Sequence, residues 1–164
     1  MDVSAAKTYS YFMAVCITSP VSGALLSGWA TKKVGGYESK YVVPMAFFAC
    51  CCAIAAGVPC PLTRDFQVAI ALFWVVLFAG AFILPIMTGV LLTVVEPELK
   101  EQANSIANLS YNLFGYLPAP TIYGYMNQLD GDTKVEHDKS NYGMLLLLWF
   151  TVPATICVGL LMIL

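Results

Sequence analysis

Residues 104–124 read NSIANLSYNLFGYLPAPTIYG, and this stretch decides how the rest of the chain is interpreted. It is long and apolar enough to cross a bilayer, yet it holds three asparagines, two prolines and two glycines. Polar side chains and helix breakers are tolerated in hydrocarbon only where they face other helices or a watery cavity. The stretch is therefore predicted to be an inner element, with the remaining apolar segments packed around it.

The composition of the whole chain predicts an all-α, multi-pass integral membrane protein. Of its 164 residues, 59% are hydrophobic and 11% are charged, whereas soluble domains carry roughly 25% charged residues. The net charge of −2 argues against a nucleic-acid partner, which would need a basic surface. The expected surrounding is a lipid bilayer, and nothing in the composition indicates which membrane.

Charged residues divide the chain into five apolar runs. A bilayer core of about 30 Å needs about 20 helical residues, and each run meets that length. We therefore predict five transmembrane helices within a single transmembrane domain over residues 1–164. Their approximate bounds are 7–31, 41–60, 66–94, 103–126 and 142–164.

The loop between the first two predicted helices carries Lys32, Lys33 and Lys40. Cations on the two sides of the predicted bundle are equal in number, so the positive-inside count alone gives no orientation. The concentration of these three lysines in one short loop favours placing that loop in the cytoplasm.

Small residues on the first helix predict a close helix contact. Ser19, Gly23 and Ser27 recur every four residues, which puts them on one side of a helix and lets another backbone approach. We call these three residues the small-residue stripe. On the third helix, Pro85 lies between Gly80 and Gly89, and this cluster predicts a break or bend.

The sequence offers no catalytic or metal-binding pattern. No Asp, Glu, Lys, Arg or His lies inside a predicted span, so the chain has no intramembrane proton relay of its own. The single histidine, His137, falls in an acidic loop and is interpreted as solvated. Without a nucleophile–base pair, a phosphate loop or a metal cluster, neither an enzyme nor a cofactor is predicted.

Asn104, Asn108 and Asn112 lie one turn apart on a single helix face, and we call them the asparagine row. An amide in hydrocarbon costs free energy unless it is hydrogen-bonded. Two interpretations follow. The row either joins neighbouring helices by hydrogen bonds, or it lines a solute cavity together with Tyr111.

Pro118 and Pro120 predict a discontinuity near one end of the same segment. Neither residue has an N–H to return to the carbonyls of Phe114 and Tyr116. Discontinuous helices are typical of transporter sites, but a static kink relieved by packing would leave the same sequence signal.

Two motifs resemble the major facilitator superfamily. Residues 28–37, GWATKKVGGY, are similar to its loop signature G-x-x-x-D-R-x-G-R-[RK]. Gly28, Gly35 and Lys33 match, whereas Lys32 and Gly36 replace the family's Asp and Arg. Residues 111–124, YNLFGYLPAPTIYG, resemble the penultimate helix of the organic-anion-transporting and spinster-like branches.

This resemblance implies that the five spans are similar to helices eight to twelve of a twelve-helix carrier, or alternatively to helices two to six. Such carriers move a small organic solute by alternating access, as two six-helix halves rock about a midplane site. The chain would then be a fragment, a truncated product or a subunit that needs a missing transporter half. The alternative is a non-transporting membrane scaffold subunit of a larger complex.

The resemblance also implies particular roles for the polar residues. Asn104, Asn108, Asn112 and Tyr111 would face the solute, with Thr88 opposite them. A second hypothesis concerns gating of the mouth by opposite charges. The groups that would form this latch are Lys32 and Lys33 with Glu96, Glu98 and Glu101.

Overall fold

The structure is a computed structural model, and it describes residues 5–63, 65–129 and 151–163. This part of the chain is all-α, as predicted, with short 3₁₀ turns in two of the connections. A π-helical turn, Tyr111–Tyr116, separates the fourth and fifth helices. The six α-helices are α1 (Ala5–Val34), α2 (Val42–Gly57), α3 (Phe66–Val94), α4 (Lys100–Ser110), α5 (Pro118–Leu129) and α6 (Thr151–Ile163).

Within the described residues, two helices are long and apolar enough to cross a membrane, not the five predicted. They are Lys7–Val34 with 28 residues and Phe66–Val94 with 29. The second predicted span shortens to the 16 residues of α2, which reach only about 24 Å at 1.5 Å each. The segment predicted at 103–126 is divided into α4, the π turn and α5. Of the fifth, residues 142–150 lie outside the described part.

Helix α3 is the central element of the bundle, because both α1 and α2 pack against it. Helix α6 packs against α2. The core lies where α2, α3 and α6 meet, and small α2 side chains let Phe82 and Ile86 of α3 pack against them. Its buried members are Val42, Ala46, Ala49, Cys50, Phe82, Ile86 and Val158.

Helix α3 continues through Pro85 from Phe66 to Val94, so the helix does not end at the proline. The bend predicted at this cluster stays a prediction. Proline removes one backbone hydrogen bond and costs about 3 kcal/mol inside a helix. The flanking residues Phe82 and Ile86 are both buried in the core. Their packing holds the helix together on each side of the proline.

Helix α1 ends in a glycine cap. Gly35 has φ +106° and Gly36 has φ +92°, a left-handed backbone that side-chain-bearing residues rarely adopt. The Gly36 N–H donates to the Thr31 carbonyl at 2.9 Å, and the Gly35 N–H to the Lys32 carbonyl at 3.4 Å. These two bonds form a Schellman motif, which satisfies the last carbonyls of the helix and turns the chain towards α2.

Candidate functional site

The contact between α1 and α3 is built on the small-residue stripe, and the prediction of close packing there is confirmed. Ser19, Gly23 and Ser27 are all buried. The stripe is one turn longer at each end than predicted, because Val15 and Thr31 are buried at the same four-residue spacing. The buried face of α1 is therefore a single line of small or short side chains.

Hydrogen bonds fix the position of α1 on α3. The Ser19 hydroxyl donates to the Trp74 carbonyl oxygen (Oγ–O 2.7 Å), and the Trp74 indole N–H donates to the Thr18 hydroxyl (Nε1–Oγ1 3.2 Å). One turn further on, a Cβ added to Gly23 would lie 2.5 Å from the Phe78 carbonyl oxygen. Positions along α1 and α3 thus increase together, so the two helices run in the same direction.

The far end of the same contact holds two hydroxyls without partners among the described residues. Ser27 is 0% exposed and Thr31 is 2% exposed, and neither side-chain oxygen makes a hydrogen bond. Together with the close approach at Gly23, this burial leaves no opening between α1 and α3 along the stripe. A solute path between these two helices is not supported.

Unlike the stripe, which lies on one continuous helix, the asparagine row extends from α4 into the π turn. Helix α4 ends at Ser110, and the Leu117 N–H then donates to the Asn112 carbonyl (2.9 Å), the five-residue step of a π turn. Helix α5 begins at Pro118, where a proline costs least because the first N–H of a helix has no partner. α-Helical bonding is therefore interrupted before the prolines, and Pro120 lies within the first turn of α5.

The side chains of the row do not bond to another helix within the described residues. Asn108 and Asn112 are exposed and Asn104 is half-buried. The Asn112 amide donates to the Asn108 carbonyl oxygen on its own helix (Nδ2–O 2.8 Å). Tyr111 and, on α3, Thr88 are half-buried. Their assignment as solute-facing residues stays a prediction.

A shallow depression of about 470 Å³ lies beside the row at the beginning of α4. Its lining consists of Glu101, Gln102, Ser105 and Ile106, so the asparagines do not form it. The Ser105 hydroxyl donates to the Glu101 carbonyl of its own helix (2.9 Å). The depression is open to the outside and gives no enclosed site.

The groups assigned to a charged latch lie at the same end of the bundle, because α1 and α3 are parallel and both end there. Lys32 and Lys33 close α1, whereas the glutamates follow α3 at positions 96, 98 and 101. Among the residues that the structure describes, no ion pair joins the two groups. Lys33 instead places its Nζ 4.9 Å from the centre of the Trp29 ring. The latch stays a hypothesis.

Cysteine and acidic side chains do not gather into a metal site in the described residues. All six cysteines are free. Cys60, in the turn after α2, is buried with its Sγ 3.7 Å from the Ala69 carbonyl oxygen, and burial raises the pKa of this thiol. His137 lies outside the described residues.

Comparison with protein-family models, with curated proteins and with solved structures gave no match. The resemblance to the major facilitator superfamily therefore depends on the two sequence motifs alone. The geometry brings together the stripe of α1 and the backbone of α3. It leaves the asparagine row uncovered by the rest of the described chain.

Proposed function

We propose that this chain is a membrane-embedded part of a secondary transporter, which moves a small organic solute by alternating access together with further transmembrane segments. One observation carries the proposal. A polar, interrupted helix, α4–π–α5, presents exposed amides next to a tightly packed pair of long apolar helices.

The lipid setting is supported by the outward surface of the two long helices. Large apolar side chains on α1 are widely exposed, for example Phe12 at 51% and Leu25 at 70%. Soluble monomers rarely expose contiguous apolar surface of this kind. A bilayer would cover it, while the polar atoms of Ser19 and Trp74 stay between the helices.

The interrupted helix is the element suited to a solute. π-Helical turns occur frequently at functional sites, and transporter sites are commonly formed where a helix is discontinuous. The π turn begins at Tyr111 and ends at Tyr116, and Asn112 lies inside it. Exposed amides of Asn108 and Asn112 in a membrane would need a polar partner, which water and a solute in a cavity would supply.

The connections join two parts that contact each other at one turn. Helices α1, α2 and α3 form one packed unit, whereas α4 contacts the end of α3 where the chain turns. A change at the turn around Pro97–Leu99 would tilt the interrupted helix without disturbing the Ser19–Trp74 bond.

A second candidate function is a non-transporting scaffold subunit, and a specific observation favours it. The α1–α3 contact is closed along its length, and the Asn112 amide bonds to its own helix. In that case the exposed asparagines would join a helix of a partner protein by hydrogen bonds, each worth about 0.6 to 2 kcal/mol.

The test is uptake by the protein purified with its membrane partners and reconstituted in proteoliposomes. A panel of radiolabelled organic acids, amino acids and sugars serves as the probe. Asn108→Ala and Asn112→Ala should each reduce uptake at least tenfold. Ser105→Ala is the matched control, because its exposed hydroxyl also bonds a carbonyl one turn earlier.

One outcome decides against the asparagine site, and another decides against transport. Unchanged uptake in both asparagine variants would remove the site from α4. Absence of uptake for the whole panel, combined with loss of a co-purifying protein when Asn108 is replaced, would favour the scaffold.

A further inference from the structure

The end of α1 and the turn into α2 form a surface that the proposed solute site does not use, although two of its lysines belong to the hypothetical latch. We call it the α1–α2 corner, and its exposed members are Trp29, Lys32, Lys33, Lys40 and Tyr41. Between Trp29 and Tyr41 the only acidic residue is Glu38. The corner is therefore a compact cationic and aromatic patch directly beside the apolar face of α1.

Two features hold this corner in a fixed place on the bundle. The Schellman motif at Gly35 and Gly36 sets the direction in which the chain leaves α1. The Tyr37 ring then packs against Gly89 of α3, so closely that any side chain at position 89 would overlap it. The segment that carries the lysines is therefore held at the end of α1 by the Schellman motif and against α3 by Tyr37.

The lysines are available to a ligand. Within the described part of the chain none of the three forms an ion pair, and Lys33 and Lys40 lie over aromatic rings instead. The Lys33 Nζ is 4.9 Å from the Trp29 ring centre, and the Lys40 Nζ is 5.4 Å from that of Tyr41. Trp29 and Tyr41 are themselves about 60% exposed (59% and 60%).

This arrangement matches the chemistry of a membrane surface. Trp and Tyr favour the level of the lipid headgroups, where an apolar ring and a polar tip are both accommodated. Lysines at that level are attracted to anionic lipid phosphates, and each contributes to binding the charged leaflet. A free phosphate would engage the lysines but would give the exposed rings no apolar partner.

We propose that the α1–α2 corner binds the headgroups of anionic phospholipids. This inference uses the membrane embedding of the proposed function, and does not depend on transport. Glu96 and Glu98 lie in the neighbouring connection at the same end, and Glu101 lies in the first turn of α4, but no ion pair joins them to the corner. They do not occupy its lysines.

The test uses the full chain in phosphatidylcholine nanodiscs with an increasing fraction of phosphatidylglycerol. Native mass spectrometry counts the phosphatidylglycerol molecules retained per protein. The double variant K33Q/K40Q should weaken retention by roughly fivefold per lysine, about 25-fold in all at low salt. K33R/K40R, which keeps both charges, should retain wild-type binding.

The double variant K7Q/K100Q is the matched control, because it removes the same charge at two exposed lysines outside the corner. Equal retention by K33Q/K40Q and the wild type, or equal losses in both double variants, would overturn the inference. A second measurement, carbonate extraction of membranes, distinguishes failure of the lipid-binding inference from failure of the proposed function. A chain released by carbonate would contradict membrane embedding itself, and the inference with it.

Discussion

Two rows of residues in this molecule have the same spacing and opposite surroundings. The small-residue stripe on α1 and the asparagine row on α4 both recur every four residues. The stripe is buried, and its Ser19 bonds to another helix. The asparagine row faces outward, and its Asn112 bonds to its own helix.

The difference follows from side-chain size. Glycine and serine let two backbones approach until a hydroxyl reaches the carbonyl of the next helix, as Ser19 reaches Trp74. Asparagine is longer and does not let two backbones approach as closely. Spacing therefore shows which residues share a face, whereas the size of the side chains decides what that face can approach.

The strongest challenge to the comparison is Gly23→Ala. The added Cβ would lie 2.5 Å from the Phe78 carbonyl oxygen, a backbone atom that cannot turn aside. Overpacking of this kind should lower the free energy of unfolding by about 2–3 kcal/mol. Reversible unfolding by SDS in mixed micelles measures it. Gly28→Ala is the control, because its Cβ would meet nothing within 4 Å. An equal effect at both positions would show that α1 does not pack here.

Gly89→Ala should have a smaller effect, because its obstacle is the Tyr37 side chain and not a backbone atom. We expect a loss of about 1 kcal/mol in the same unfolding measurement. Gly80→Ala, in open space on the same helix, should instead gain up to about 1 kcal/mol from helix propensity. If Gly89→Ala gained as much, the Tyr37 packing would be disproved.

Ser19→Ala tests how much the single hydrogen bond between α1 and α3 contributes to stability. Loss of the bond to the Trp74 carbonyl should lower the free energy of unfolding by about 0.6–1 kcal/mol. Ser22→Ala is the control, since the Ser22 hydroxyl bonds the Ser19 carbonyl of its own helix. Identical values for the two variants would mean that the interhelical bond adds nothing.

Asn112→Ala should have the smallest effect on stability. Its amide is exposed and bonds only to the Asn108 carbonyl one turn away. The free energy of unfolding of the isolated chain should change by no more than about 0.5 kcal/mol. A loss as large as that of Gly23→Ala would place Asn112 in a packed contact and remove the contrast between the two rows.

Part of the bundle was predictable, because charges and small residues mark α3 and the buried face of α1 directly. The span predicted at 66–94 coincides with α3, since Asp65 and Glu96 bound an uncharged run. The stripe on α1 was recognisable because small residues at four-residue spacing, Ser19, Gly23 and Ser27, are typical of close helix contacts.

The rest depends on features that carry little local signal. Helix α2 ends at Gly57 rather than 60, because Pro59 and Pro61 follow it in a 3₁₀ turn. The π turn shifts hydrogen bonds by one residue between Tyr111 and Tyr116, and no composition rule marks that shift. Whether an amide turns inward depends on neighbours distant in sequence, so the role of the asparagine row could not be derived from spacing.

The long sequence separation across the α1–α3 contact has a consequence for biosynthesis. Ser19 and Trp74 are 55 positions apart, so the stripe is translated well before its acceptor. At about 5–20 residues per second, α1 waits roughly 3–11 s for α3 to emerge from the ribosome. During that interval Ser19 has no acceptor on α3, so the stripe must stay unpaired or be shielded until α3 arrives.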